Sequence, residues 1–164
     1  MNTLPLSLNR KLAAALAFAC ILGSVAIGQT ETKAPKEIYP APELAQAELK
    51  DALAKAAKLH KRIILDFGGN WCGDCKVLDK YFHQEPNASL LKANFILVDV
   101  NIGKFDKNKD IAKMYDVPLE KGVPALAVLD SNGKSLFSQK KGEFESMARM
   151  DPQSVTDFLN HWKK

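Results

Sequence analysis

The sequence predicts a three-layer α/β/α domain on a mixed central sheet of four to five strands, and three observations carry that expectation. Two short apolar runs, residues 62–67 and 94–100, alternate with segments of helical periodicity. Asn132-Gly133 stands between further strand-like runs at 125–129 and 135–138, the strongest short signal for a hairpin. Asp151-Pro152 supplies an N-cap and a first-turn proline for a closing helix. Helical crossovers imply parallel pairing of the early strands, the hairpin adds an antiparallel pair, and helices then cover both faces.

In chain order, residues 29–41 hold Pro35 and Pro40 among Thr, Lys and Glu and are expected to form a flexible lead. A helix opens near Pro42 and runs through residues 43–58, with Leu49, Leu53, Ala56 and Ala57 as its apolar face. Residues 62–67 are mostly apolar and rich in β-branched side chains, as a buried strand requires. Gly68-Gly69-Asn70 breaks that strand, and from Cys72 onward Val77, Leu78, Tyr81 and Phe82 recur at helical spacing up to a stop before Pro86. A turn or short helix at 88–92 leads into the second strand. Residues 106–115 read as a helix with Ile111, Met114 and Tyr115 as candidate buried positions. The closing helix carries Val155, Phe158, Leu159 and Trp162.

At 164 residues and 46% hydrophobic composition the chain fits one globular domain once its N-terminus is set aside. Arg10-Lys11, an apolar run at 12–22 and the small residues Ala26 and Gly28 have the layout of a secretory signal peptide spanning residues 1–28. A cut between Gly28 and Gln29 would place the protein in the periplasm or otherwise outside the cytoplasm. The alternatives are an uncleaved anchor helix, for which the run is short, and lipid attachment at Cys20. Removing residues 1–28 leaves Cys72 and Cys75 as the cysteines and takes the formal charge from +4 to +2. The lysines are interspersed with acids, which argues against nucleic acid or an anionic membrane surface as partner.

Trp71-Cys72-Gly73-Asp74-Cys75 carries the chemistry. Its cysteines fall on a strand-to-helix turn, where unpaired N–H groups stabilise a thiolate, so Cys72 is expected below the about 8.5 of a free thiol. Cys72 is then the nucleophile and Cys75, one turn further on, closes a disulfide with it. A permanent structural disulfide or half of a zinc site are the competing readings of an isolated pair. His60, His83 and His161 are scattered, and no metal is expected. Asp106, Asn108 and Asp110 mimic a calcium loop, but Ile111 and Val117 occupy its glycine and glutamate positions. Met147 and Met150, with Phe144, read as packing beneath a loop.

These features together resemble the thioredoxin family over roughly residues 43–163. Leu65-Asp66-Phe67 ahead of Trp71-Cys72-Gly73-Asp74-Cys75-Lys76 is similar to the family's strand-and-motif block, and Gly122-Val123-Pro124 to its cis-proline loop. Within the family the chain looks most like periplasmic thiol-disulfide reductases, including the C-terminal domain of the transmembrane electron relay. The dozen or so residues between the cysteine helix and the next strand leave no room for the helical insertion of the oxidase branch.

The resemblance implies a thioredoxin-like fold for residues 42–164 and a protein-disulfide reductase working through a Cys72–Cys75 dithiol–disulfide cycle, with no other cofactor. It makes Cys72 the attacking thiol, Cys75 the resolving one and Asp66 the buried base for Cys75. Pro124 and Val123 would hold an extended client strand, with Trp71 shielding the motif's edge. Gly73, Asp74, Lys76 and Asp99 would tune reactivity. Asp74 replaces the proline of cytosolic relatives, Asp99 stands in place of a lysine, and Gly68-Gly69 is expected to open space beside the site. The implied partners are disulfide-containing client proteins and a membrane thiol electron donor, the protein being a monomer that meets the membrane only through an uncleaved N-terminal helix. The alternative class is a redox-linked metallochaperone or a client-binding module without turnover.

Overall fold

Burial on both faces makes residues 62–68 the central strand. The computed structural model describes residues 37–164. The expected signal peptide, the Cys20 alternative and the first part of the lead lie outside the described residues. In β1 (Arg62–Gly68) every residue after Arg62 is buried, as β-branched and apolar side chains require of a strand covered from both sides. β2 (Phe95–Asn101) lies parallel to it, pairing Ile64 with Leu97 and Asp66 with Asp99. β3 (Ala125–Leu129) lies antiparallel on its other side, with Leu126 opposite Asp66. β4 (Ser135–Ser138) adds the antiparallel edge, giving the order β2-β1-β3-β4. These four strands of the described residues are the lower of the two expected counts. The turn into β4 follows from Asp130, whose Oδ1 accepts the N–H groups of Asn132 and Lys134 at 2.8 and 2.9 Å, and from Gly133, whose φ of 84° suits glycine.

Helices α1 (Ala45–Leu59), α2 (Gly73–Phe82), α3 (Asn87–Asn94), α4 (Lys109–Met114) and α5 (Gln153–Trp162) cover the sheet. Side chains alternate along β1 and divide the core. Ile63, Leu65 and Phe67 pack with Leu49, Ala52 and Ala56 of α1 and Ile111 of α4. Ile64 packs with Leu126 and Val128 of β3, Leu78 and Phe82 of α2, and Val155 and Leu159 of α5. Leu78 and Phe82 are fully buried, each contributing roughly 1.5–3 kcal/mol relative to exposure. They fix α2, and hence the cysteines, on the sheet.

Several expectations are corrected. Ala52 replaces Ala57 on the buried face of α1. Met114 is 64% exposed, because α4 starts only at Lys109 and turns Ile111 and Ala112 inward instead. The residues before it form a loop in which Gly103, Phe105 and Asn108 take positive φ. α5 begins at Gln153 rather than at Pro152, with Asp151 Oδ1 accepting the Gln153 N–H at 2.8 Å.

The end of the lead is not loose, so the packed domain begins before residue 42. Asn70 Oδ1 accepts the N–H groups of Ile38 and Tyr39 at 2.9 and 3.0 Å, and its Nδ2 donates to Tyr39 O at 2.8 Å. Asn101 Nδ2 donates to Pro40 O, and Asn108 Nδ2 to Pro42 O. Three asparagine side chains thus satisfy backbone groups that no strand pairs. Tyr39 is fully buried as a result.

Candidate active site

Cys72 is the N-cap of α2, and its Sγ accepts the Cys75 N–H at 3.1 Å. The two sulfurs form a disulfide with Cα atoms 5.3 Å apart. Both cysteines are buried, but Cys72 retains 5% exposure and lies beside Val123, its Sγ 3.6 Å from Val123 O, whereas Cys75 retains none. The helix terminus places unpaired N–H groups around Cys72, the arrangement that favours negative charge on its sulfur. A Cβ added to Gly73 would meet nothing within 4 Å, so the outer side of the motif is open.

Asp66, two residues before Gly68 on β1, is 1% exposed, and its Oδ2 accepts the Tyr39 hydroxyl at 2.9 Å. Among the described residues nothing donates to its Oδ1. Burial pushes its pKa well above the ordinary carboxylate range. The nearby Asp99 charge adds to the rise, the Tyr39 hydrogen bond opposes it, and Asp79 adds a smaller push upward. Tyr39 is pushed upward in turn, by burial first and then by the Asp66 charge. Asp99 is the register partner of Asp66 on the neighbouring strand β2.

The expected open space at Gly68-Gly69 is absent. A Cβ on Gly68 would stand 2.4 Å from Tyr39 Oη and 2.8 Å from Cys75 Sγ, and one on Gly69 would stand 2.6 Å from Trp71 Nε1. Both glycines let other groups close in, which is the opposite of leaving room.

Around the rim, Trp71 is 41% exposed and its Nε1 donates to Gly103 O. Its ring lies 5.4 Å from that of Phe105 and 4.6 Å from Lys104 Nζ, a cation–π arrangement. The Val123–Pro124 peptide is cis. Gln139 is buried and clamps this loop: its Nε2 donates to Pro124 O and its Oε1 accepts the Leu126 N–H, each at 3.2 Å. From Phe105 and Gly122 a groove of about 730 Å³ runs between α4 and residues 117–120.

Of the remaining expected residues, Asp74 is half-buried and its Oδ1 accepts the Ala148 N–H at 2.8 Å, which ties α2 to the turn at Met147–Arg149. Lys76 is exposed on α2. Tyr39, Gln139, Lys104 and Phe105 were not singled out by sequence. Tyr39 sits in a proline-containing stretch without periodicity, and Gln139 lies just past a strand end, so neither carried a local signal.

A mixed sheet bearing a disulfide at a helix N-terminus, with the cis Val123–Pro124 loop beside Cys72 and a buried carboxylate on the preceding strand, carries the chemistry of a thiol–disulfide oxidoreductase. The profile of thioredoxin-like proteins matches residues 44–131, and the chain belongs to the thioredoxin-like family. A disulphide isomerase from Xylella fastidiosa Temecula1 superposes with a TM-score of 0.74 at 34% identity, over 78% of this chain and 98% of that one. A protein disulfide-isomerase of Ricinus communis is 29% identical over 123 residues, 73% of this chain. The thiol:disulfide interchange protein DsbD of Photorhabdus laumondii is 26% identical over 106 residues, 64% of this chain. The chain spans only 23% and 17% of the length of these two relatives.

Proposed function

We propose that this chain is an exported thiol–disulfide oxidoreductase that reduces disulfides in client proteins. The observation that carries this reading is the unequal placement of the two sulfurs: Cys72 keeps a small exposed area of 5% beside the Val123 backbone, and Cys75 is fully enclosed. Only Cys72 can be reached by a client.

In the reduced protein the Cys72 thiolate attacks one sulfur of a client disulfide. A Cys72–client bond forms, the client's S–S bond breaks, and the other client sulfur leaves as a thiolate. Cys75 then gives up its proton to Asp66, and its thiolate attacks Cys72 Sγ. The Cys72–Cys75 disulfide forms and the second client sulfur leaves, so that two electrons have passed to the client. Asp66 suits the role of base because burial raises its proton affinity toward that of a thiol. The Val123–Pro124 loop offers backbone to an extended client strand beside Cys72, with Trp71 closing the opposite edge.

The reducing direction is favoured by Asp74, since a carboxylate in the first turn of α2 disfavours a thiolate at Cys72. Destabilising the reduced form lowers the potential. The cycle needs no cofactor beyond the cysteines, and a membrane thiol electron donor would restore the dithiol. Export is supported by the charged, apolar and small-residue order of residues 1–28. The protein is expected to act as a monomer. The wild type should accelerate insulin precipitation by dithiothreitol in a concentration-dependent manner. No acceleration, with stoichiometric copper or zinc binding instead, would favour a metallochaperone and overturn the proposal.

A further inference from the structure

We propose that Tyr39 relays the proton of the resolving thiol, its hydroxyl taking the proton from Cys75 while passing its own to Asp66. The proposal rests on the reading of Cys75 as the resolving cysteine. Asp66 and Gly68 are two residues apart on β1 and so point to one face. Over that face the Tyr39 hydroxyl donates to Asp66 Oδ2 at 2.9 Å. The point a Gly68 Cβ would occupy lies 2.4 Å from Tyr39 Oη and 2.8 Å from Cys75 Sγ. Hydroxyl and sulfur therefore converge on the gap that glycine leaves, the one arriving from the segment before α1 and the other from α2. A side chain at position 68 would fill the space between them.

The tyrosine is also held there from the motif itself. Asn70, immediately before Trp71 and Cys72, makes three hydrogen bonds to the backbone of Ile38 and Tyr39. The groups that face this region are Asp99 from β2 and Asp79 from α2, the latter paired with His83 Nδ1 at 3.1 Å. These carboxylates make Asp66 more basic, and they make a free phenolate costly. The two transfers are accordingly coupled: the S–H bond of Cys75 breaks as an O–H bond forms on Tyr39. Tyr39's own O–H bond breaks as one forms on Asp66 Oδ2. The phenol is neutral before and after, Asp66 ends protonated, and the Cys75 thiolate attacks Cys72 Sγ to expel the client sulfur as a thiolate.

The test uses 5,5′-dithiobis(2-nitrobenzoate) with the reduced protein, which releases thionitrobenzoate first on Cys72 attack and again when Cys75 resolves the mixed disulfide. Tyr39→Phe keeps the ring and removes the hydroxyl. It should slow the second release about tenfold or more, move its pH dependence toward the about 8.5 of an ordinary thiol, and leave the first release unchanged. Asp66→Asn should slow the same phase, and the double variant should add little to either single change. A second release at the wild-type rate or faster in Tyr39→Phe overturns the relay, because a tyrosine that only holds Asp66 ionised would, on removal, leave a stronger base. On the wild type, a proton inventory in mixed H2O and D2O should curve, as two moving protons require, and a linear inventory overturns the relay whatever the variants do. A wild type with no second release would instead remove the resolving role of Cys75 itself.

Discussion

Cys75→Ser is expected to stall on its client: a mixed disulfide through Cys72 should accumulate to near one equivalent, and insulin turnover should fall to the dithiothreitol background. The attacking sulfur stays at the N-terminus of α2 beside Val123 O, while the buried thiol that would expel the client is gone. Serine fits the space of Cys75, which is fully enclosed, so the variant should fold. Cys72→Ser should lose turnover to the same extent and form no adduct, because Cys75 is out of reach of a protein client. Non-reducing electrophoresis and mass spectrometry after mixing with insulin check both results. Adducts on Cys75 in Cys72→Ser would reverse the assignment of roles.

Asp66→Asn is expected to stabilise the oxidised protein at pH 8 by about 1 kcal/mol or more, since each unit of pKa elevation corresponds to about 1.4 kcal/mol. Burial first, and then the Asp99 charge, make the folded state hold the Asp66 proton more tightly than the unfolded chain does. Across the window from the unfolded carboxylate value of about 3.9 up to the raised folded value, the native state binds more protons, so its stability falls as pH rises. Asparagine does not ionise and still offers Tyr39 an acceptor. The gain over wild type should therefore shrink as pH falls and vanish below about pH 4. Urea unfolding at several pH values measures it. An Asp66→Asn protein no more stable than wild type at pH 8 would contradict a buried, basic carboxylate at this position. The same substitution removes the base, so stability and turnover should move in opposite directions, as is common where a site holds an unfavourable group for its chemistry.

What sequence could show here was whatever local chemistry dictates. The β-branched run at 62–67, the Asn132-Gly133 turn and the helical spacing after Cys72 each have a short-range cause, and β1, the β3–β4 hairpin and α2 follow them closely. Asp66 stood out because Leu65-Asp66-Phe67 ahead of the cysteine motif resembles the thioredoxin family's strand with its buried aspartate. Long-range placement was not legible. Tyr39 lies in a stretch without periodicity, and its burial depends on Asn70, 31 residues away. Gly68-Gly69 showed that side chains were absent but not what would enter the gap, so expected room turned out to be the place where Tyr39, Cys75 and Trp71 close in. Met114 had the right spacing for burial, yet the late start of α4 turned it to solvent. Gln139 carries no motif, and its hold on the Pro124 loop appears only once β4 is laid beside β3.

The most direct test of a disulfide-reducing role is the equilibrium reduction potential of the Cys72–Cys75 pair against glutathione. A reductant of client proteins should lie at about −200 mV or lower, in the range of glutaredoxins and thioredoxin. A value near about −120 mV, that of a strong oxidant, would contradict it.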